Sequence, residues 1–288
     1  MSVKITTIVE NSVPVSIRTI GEHGLSFIIE TEDRTILFDT GQGMALAHNA
    51  ERMGTDLTKV DTVILSHGHY DHSGGLLKLL EINGNFELIV HPDAFSEKYA
   101  LLPGPKTINI GMITSQKLLE EKNINVRLSR EPVEICNSIM TTGEIPMETD
   151  YEGIEPVLFT RINGKNVPDP LLDDQCMILK VETGIIVVLG CAHRGIINTL
   201  NRVVQITGVK DIYAVLGGMH LERASDEQIE KTVEALKSFN IQRIGVSHCT
   251  GIRAITRLYR EFGERVFLNQ VGYTLKIQRR YSLIFSSI

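Results

Sequence analysis

Ser66-His67-Gly68-His69-Tyr70-Asp71-His72 is the stretch whose reading decides the fold. Three imidazoles and a carboxylate fall between His67 and His72. On a solvated surface such a cluster would serve nothing. It follows Thr62-Val63-Ile64-Leu65, a short apolar run with β-branched residues that reads as a buried strand. In a loop at a strand end the four side chains can converge on two cations, His67 and His69 on one, Asp71 and His72 on the other. Nitrogen and oxygen donors in this mixture suit Zn²⁺, Fe or Mn²⁺ and not Ca²⁺. The alternative is a chance polar loop or an adventitious metal clip, and the other strand ends weigh against it.

Those ends repeat the pattern. Thr35–Phe38 ends in Asp39-Thr40-Gly41, and Leu88–Val90 ends in His91-Pro92. Ile185–Leu189 ends in Gly190-Cys191-Ala192-His193, and Tyr213–Leu216 in Gly217-Gly218-Met219-His220. Ile244–Val246 ends in Ser247-His248-Cys249. Random scatter of nine histidines would not place so many of them at or just past strand ends. In α/β architectures ligands collect at the carboxyl ends of strands, and glycine there lets the chain turn sharply beside them.

Helical periodicity shows in 43–53, 114–122, 194–207, 225–239 and 252–262, and the middle stretch 124–189 is strand-rich. The fold expected is α/β (α+β), two mixed β-sheets packed together with helices outside, in one domain over 1–288. Asn163–Pro170 reads as a loop within that domain.

Composition narrows the function. With 42% hydrophobic residues the chain can bury a large core. Its formal net charge of −6 and the lack of a basic block argue against nucleic acid. Lys276, Arg279 and Arg280, interleaved with Ile277, Tyr281 and Leu283, read as an edge strand with a polar face. No apolar run reaches the roughly 18 residues of a membrane span. The N-terminal ten residues alternate like a strand and do not read as a signal peptide. Cys136, Cys176, Cys191 and Cys249 are widely spaced and make no disulfide framework, so the cytoplasm is the default.

Asp39-Thr40-Gly41 followed by His67-x-His69-x-Asp71-His72 resembles the metallo-β-lactamase superfamily, which implies an αβ/βα sandwich with a binuclear metal cleft. Glu22–Ser26, Thr141–Pro146, Gly190–Gly195, Gly217–Leu221 and Ser247–Gly251 resemble one branch of it. That branch includes the methanopterin-pathway dihydropterin–ribofuranosylaminobenzene phosphate synthases and relatives described as metal-dependent hydrolases. Flavodiiron oxidoreductases of the superfamily carry Glu where this chain has His69, so redox chemistry is not expected.

The chain departs from the superfamily pattern twice. No histidine lies between His91 and His193, and Thr142-Gly143-Glu144 stands where a third ligand to the first metal is expected. Cys191 replaces the aspartate that normally bridges the metals. Either His193 takes a ligand role, or Cys191 bridges or adds a ligand, or one metal site is weak; as a free cysteine Cys191 is otherwise a small buried hydrophobe. His248 fits the last metal ligand. His220, beside Gly217-Gly218, is assigned to substrate or proton transfer. Asp39 orients a ligating imidazole from behind, unless it only forms its turn. His23 borders the cleft. Arg194 binds an anionic substrate or faces solvent, while His48 and His91 are structural.

The leading expectation is hydrolysis through a hydroxide shared by two divalent ions, zinc foremost. Asp71 would orient the nucleophile and His220 steady the oxyanion or protonate the leaving group. A transferase condensing a pterin with an arylamine is the alternative, and a sensor with an inert site a third. The substrate expected is a small molecule, a phosphoester or a pterin-like ring, with neither nucleic acid nor membrane as partner.

Overall fold

The computed structural model describes residues 2–15, 17–104 and 106–278. Two seven-stranded sheets make its centre. The first orders its strands Thr274–Ile277, Val3–Val9, Ser26–Glu30, Thr35–Phe38, Thr62–Ile64, Glu87–Val90 and Asn125–Leu128. The second orders Val266–Leu268, Asn240–Val246, Asp211–Gly217, Gly184–Leu189, Cys176–Val181, Ile139–Thr141 and Glu134–Cys136. Both are mixed, as expected. Strands 35–38, 62–64, 87–90 and 125–128 run parallel, as do 184–189, 211–217, 240–246 and 266–268.

The period-two alternation of each strand explains the layering. Ile36 and Phe38 point between the sheets with Ile186 and Val188 opposite, whereas Leu37 points outward. Outward residues of the first sheet meet helices Ala45–Arg52, Leu76–Ile82 and Gln116–Glu121. Those of the second, including Ile185, Val187 and Leu189, meet helices Ile196–Thr207, Asp226–Leu236 and Ile252–Phe262. The order is therefore helix, sheet, sheet, helix. Buried carboxylates tie two of these helices down. Glu22 accepts hydrogen bonds from the backbone N–H groups of Gln42, Gly43, Met44 and Ala45, and Glu152 from those of Ile197 and Asn198. A carboxylate at a helix N-terminus satisfies orphan donors and suits the dipole.

The stretch 163–170 is not a loop. Ile162 and Lys165 pair across Asn163 (φ 52°) and Gly164 (φ 76°), so Leu158–Ile162 and Lys165–Pro168 form a tight hairpin. Left-handed backbone at both turn residues is what Asn-Gly supplies most readily. The hairpin joins Lys98–Leu101 and Thr107–Asn109 in a third, four-stranded sheet. Ile110, Leu158 and Leu171 pack there with Tyr70, Ile108 and Val157. Thr274–Ile277 is an edge strand carrying Lys276, as expected; Arg279, Arg280, Tyr281 and Leu283 lie outside the described residues. Among the described residues no helix is long and apolar enough to cross a membrane.

Candidate metal centre

The 66–72 segment is pinned between the sheets. A Cβ on Gly68 would lie 2.1 Å from the Ala94 carbonyl oxygen, so only glycine fits between His67 and His69. Its N–H donates to Asp173 Oδ2 at 2.8 Å. Asp173 in turn meets the buried ammonium of Lys98 at 2.9 Å, and Asp169 meets the same ammonium at 3.0 Å. Burial would lower Lys98, but Asp173 and Asp169 outweigh it and raise its pKa.

Three imidazoles have their tautomers set from behind. Ser66 Oγ donates to Asp39 Oδ2 at 2.7 Å, so the Oγ lone pair accepts from His67 Nδ1 at 2.8 Å. That leaves the lone pair of His67 on Nε2. Asp39 Oδ2 also takes His72 Nδ1 at 2.7 Å, which puts the His72 lone pair on Nε2. His248 Nδ1 lies 2.9 Å from Asn11 Oδ1, an oxygen identified by the Gly24 N–H that it also accepts. The His248 lone pair is therefore on Nε2 as well.

These free nitrogens point at one another. His67 Nε2 lies 3.0 Å from His69 Nδ1 and 3.2 Å from His193 Nε2. His72 Nε2 lies 3.3 Å from His248 Nε2 and 3.1 Å from Cys191 Sγ. Asp71 Oδ2 stands 3.3 Å from His248 Nε2, 3.7 Å from His72 Nε2 and 3.1 Å from His23 Nε2. Two groups that could hold an ion result: His67, His69 and His193, and the set around Asp71, His72, His248 and Cys191. Cys191 groups with His67 and His72, with His193 and His220, and with His248 and Cys249, so it sits between the two.

Electrostatics keep most of these donors open. Burial, foremost, pushes His67 and His193 well below the usual imidazole range and His69 to about 3, so all three are neutral. Burial would raise Asp71, yet His72, His23 and His248 hold it well below its usual range. His220 behaves differently. Burial would lower it, but Cys249 and Glu155 outweigh that and push it up to about 10. Its Nε2 lies 3.2 Å from Glu155 Oε1, and its ring 4.1 Å from that of His193.

The cleft in front holds about 200 Å³. His23, His69, Asp71, Cys191, His193, His220, His248 and Cys249 line its floor; Tyr70, Ala100, Ile110, Val157 and Leu158 make an apolar wall; Glu155, Glu222 and Arg223 complete the lining. Asp39 is fully buried behind the site. Arg194 does not line the cleft, because its guanidinium is spent on the Ile145 and Pro170 carbonyls. Glu144 pairs with His91 and Arg130 away from it. His48 Nε2 meets the Arg18 carbonyl. Sequence reasoning missed Cys249, Glu155, Arg223 and Asn11. Cys249 adjoins His248 in a strand-end run of the same kind, which was a usable signal; the others carry none.

A family model described as the metallo-beta-lactamase superfamily matches residues 19–194. The chain is 33% identical over 272 residues to the 7,8-dihydropterin-6-methyl-4-(beta-D-ribofuranosyl)-aminobenzene-5'-phosphate synthase of Methanocaldococcus jannaschii, covering 91% of this chain and 92% of that protein. It is 37% identical to an uncharacterised protein of the same archaeon over 82% of this chain and 87% of the other. A crystal structure described as a metal-dependent hydrolase of the beta-lactamase superfamily superposes with a TM-score of 0.82 at 28% identity, covering 96% of this chain and 100% of that one.

Proposed function

The chain belongs to the metallo-beta-lactamase superfamily, and on that premise we propose that it is a metal-dependent hydrolase of a small anionic or heteroaromatic substrate. One observation carries the reading. Hydrogen bonds from behind fix the lone pairs of His67, His72 and His248 on nitrogens that face other donors at 3.0–3.3 Å. Nitrogens so placed need a proton or a cation between them. Neutral imidazoles, a carboxylate and the thiolate that a cysteine becomes on binding are the donors that zinc or iron takes.

His67, His69 and His193 would hold one ion, and Asp71, His72 and His248 the other, with Cys191 between them. When bound, such ions supply Lewis acidity and make water a usable nucleophile near neutral pH. Asp71 would orient an attacking water. His220, backed by Glu155, steadies charge developing on the substrate oxygen or gives a proton to the leaving group. The wall of Tyr70, Ile110, Val157 and Leu158 seats a flat ring and excludes water beside it. Arg223, 67% exposed and paired with Glu155 at 3.4 Å, would share its cation with an anionic substituent, the role expected of Arg194.

A second reading, condensation of a reduced pterin with an arylamine, draws on the 33% identity to the synthase. Assay of the metal-loaded protein on phosphomonoesters, phosphodiesters, lactones, thioesters and β-lactams, beside a pterin-plus-arylamine reaction, separates the two. Hydrolysis of a phosphoester is expected. Turnover of β-lactams or thioesters alone would refute the phosphate preference, and product only in the condensation would make the protein a transferase. Less than about a tenth of an equivalent of metal after preparation in supplemented medium would sink both.

A further inference from the structure

A second cavity of the molecule is larger than the metal cleft. A groove of about 570 Å³ opens on the helix-facing side of the first sheet, where strand Val3–Val9 pairs with the edge strand Thr274–Ile277. Further along that face Ile8 is covered by the apolar core under helix Ala45–Arg52. The helix ends before it covers the sheet edge, and there the alternating positions are Lys4, Thr6, Thr274 and Lys276. The segment with Pro14, Ile17, Arg18 and Thr19 forms one wall, and Arg52, Met53 and Thr55 form another.

The charges in this groove are one-sided. Lys4, Arg18, Arg52 and Lys276 line it, and no aspartate or glutamate does. Lys4 is held by Glu30 at 2.6 Å. Among the described residues Arg18, Arg52 and Lys276 have no carboxylate within salt-bridge distance, in a chain whose net charge is −6. Lys4 and Lys276 are also direct cross-strand partners. Like charges placed opposite one another destabilise a sheet, so this register costs stability that an alternation of opposite charges would not. Thr19 Oγ1 is buried in the same wall without a hydrogen-bond partner.

A solvated edge face explains single lysines. It does not explain a concavity of ligand size that gathers three unpaired cations, an orphaned hydroxyl and the apolar side chains of Ile17 and Met53 in its walls. We infer that this groove binds a ligand carrying two or more phosphate groups, with the phosphates on Arg18, Arg52 and Lys276 and a compact body against Ile17 and Met53. The site is independent of the metal-centre reading: it shares no lining residue with the cleft.

Calorimetric titration of the metal-loaded protein with ATP and, separately, inorganic tripolyphosphate tests it. Arg18 and Arg52 are exposed and their side chains make no hydrogen bond or ion pair among the described residues, so Arg18→Ala/Arg52→Ala should fold and keep its metal content. Loss of two charge-assisted contacts should weaken binding by about tenfold or more, and binding to the parent chain should fall with added salt. ATP tighter than tripolyphosphate assigns a nucleotide, and equal affinities assign the phosphate chain alone; both support the site. Absence of binding by either probe at about 1 mM in low salt, against the low-millimolar limit of weak recognition, would overturn it. So would unchanged affinity in the double variant, which would move the anion to the metal centre.

Discussion

Lys98→Met should both destabilise the protein and loosen its metal site. The Lys98 side chain is 2% exposed, and the carboxylates that it neutralises, Asp169 and Asp173, are 6% and 0% exposed. Methionine keeps the bulk and strands two buried anions. Removing one partner of a buried ion pair costs about 3–5 kcal/mol, and burial this deep leaves no solvent screening to discount. With an unfolding entropy near 2.1 cal/mol/K per residue, roughly 0.6 kcal/mol/K for this length, the midpoint should fall by about 5–8 °C. Asp173 Oδ2 also holds the Gly68 N–H, so the same change frees the segment between His67 and His69.

Burial would raise Asp173 but Lys98 outweighs it, and its pKa is lowered. A lowered carboxyl contributes stability above its unfolded value near 3.9 that is lost only as pH falls through the folded value. The raised Lys98 contributes below about 10.4 and loses that contribution only as pH rises through its folded value. The parent chain should therefore keep this contribution between about pH 5 and 8. In Lys98→Met burial acts on Asp173 against little more than the Gly68 N–H, its pKa rises, and protonation relieves the strain, so the deficit should shrink on acidification. Urea unfolding of matched chelator-treated samples at neutral and mildly acidic pH measures it. Lys98→Met/Asp173→Asn, which keeps an acceptor for Gly68, should recover part of the loss. A deficit under about 1 kcal/mol, or one indifferent to pH, would refute the reasoning.

Three further outcomes are expected. His67→Ala and His248→Ala should each lower metal content by elemental analysis, whereas His220→Ala should retain it and lose activity; equal metal loss in all three would make His220 a ligand. Asn11→Ala should weaken metal binding roughly 10- to 100-fold in a chelator competition, with Asn11→Asp restoring most of it, because the acceptor on His248 Nδ1 sets its tautomer. If Asn11→Ala binds metal as the parent does, something other than this amide orients the ring. Glu22→Ala, which orphans four backbone N–H groups before helix Ala45–Arg52, should cost about 2 kcal/mol in urea unfolding, at the upper end of lost caps.

What the sequence disclosed depended on the range of the interaction concerned. The strands that feed the cleft are buried on both faces and read as apolar runs, and a histidine or aspartate at the end of such a run is conspicuous. Strand ends of the two facing sheets then bring together residues as distant as His67 and His193 without any further signal. Helix Leu76–Ile82 escaped because Leu76-Leu77-Lys78-Leu79-Leu80-Glu81-Ile82 is too short and too evenly apolar to separate a helix from a strand by period. The 158–168 hairpin escaped for the opposite reason: Lys165-Asn166-Val167-Pro168 has little apolar content, and only the Asn163-Gly164 turn announced it. The supports of the site were not legible at all. Asn11 and His248 are separated by 237 positions, Gly68 and Asp173 by 105, and Lys98 and Asp173 by 75. A lysine reads as a surface residue until the fold sets two carboxylates around it. Donors for a metal betray themselves by type and local spacing, whereas the groups that aim them are ordinary asparagines, aspartates and lysines whose role exists only in contact. Asn11 is therefore where substitution should separate metal affinity from fold, since it is solvent-exposed just past strand Val3–Val9, whereas Lys98 is buried in the frame and its loss should cost both.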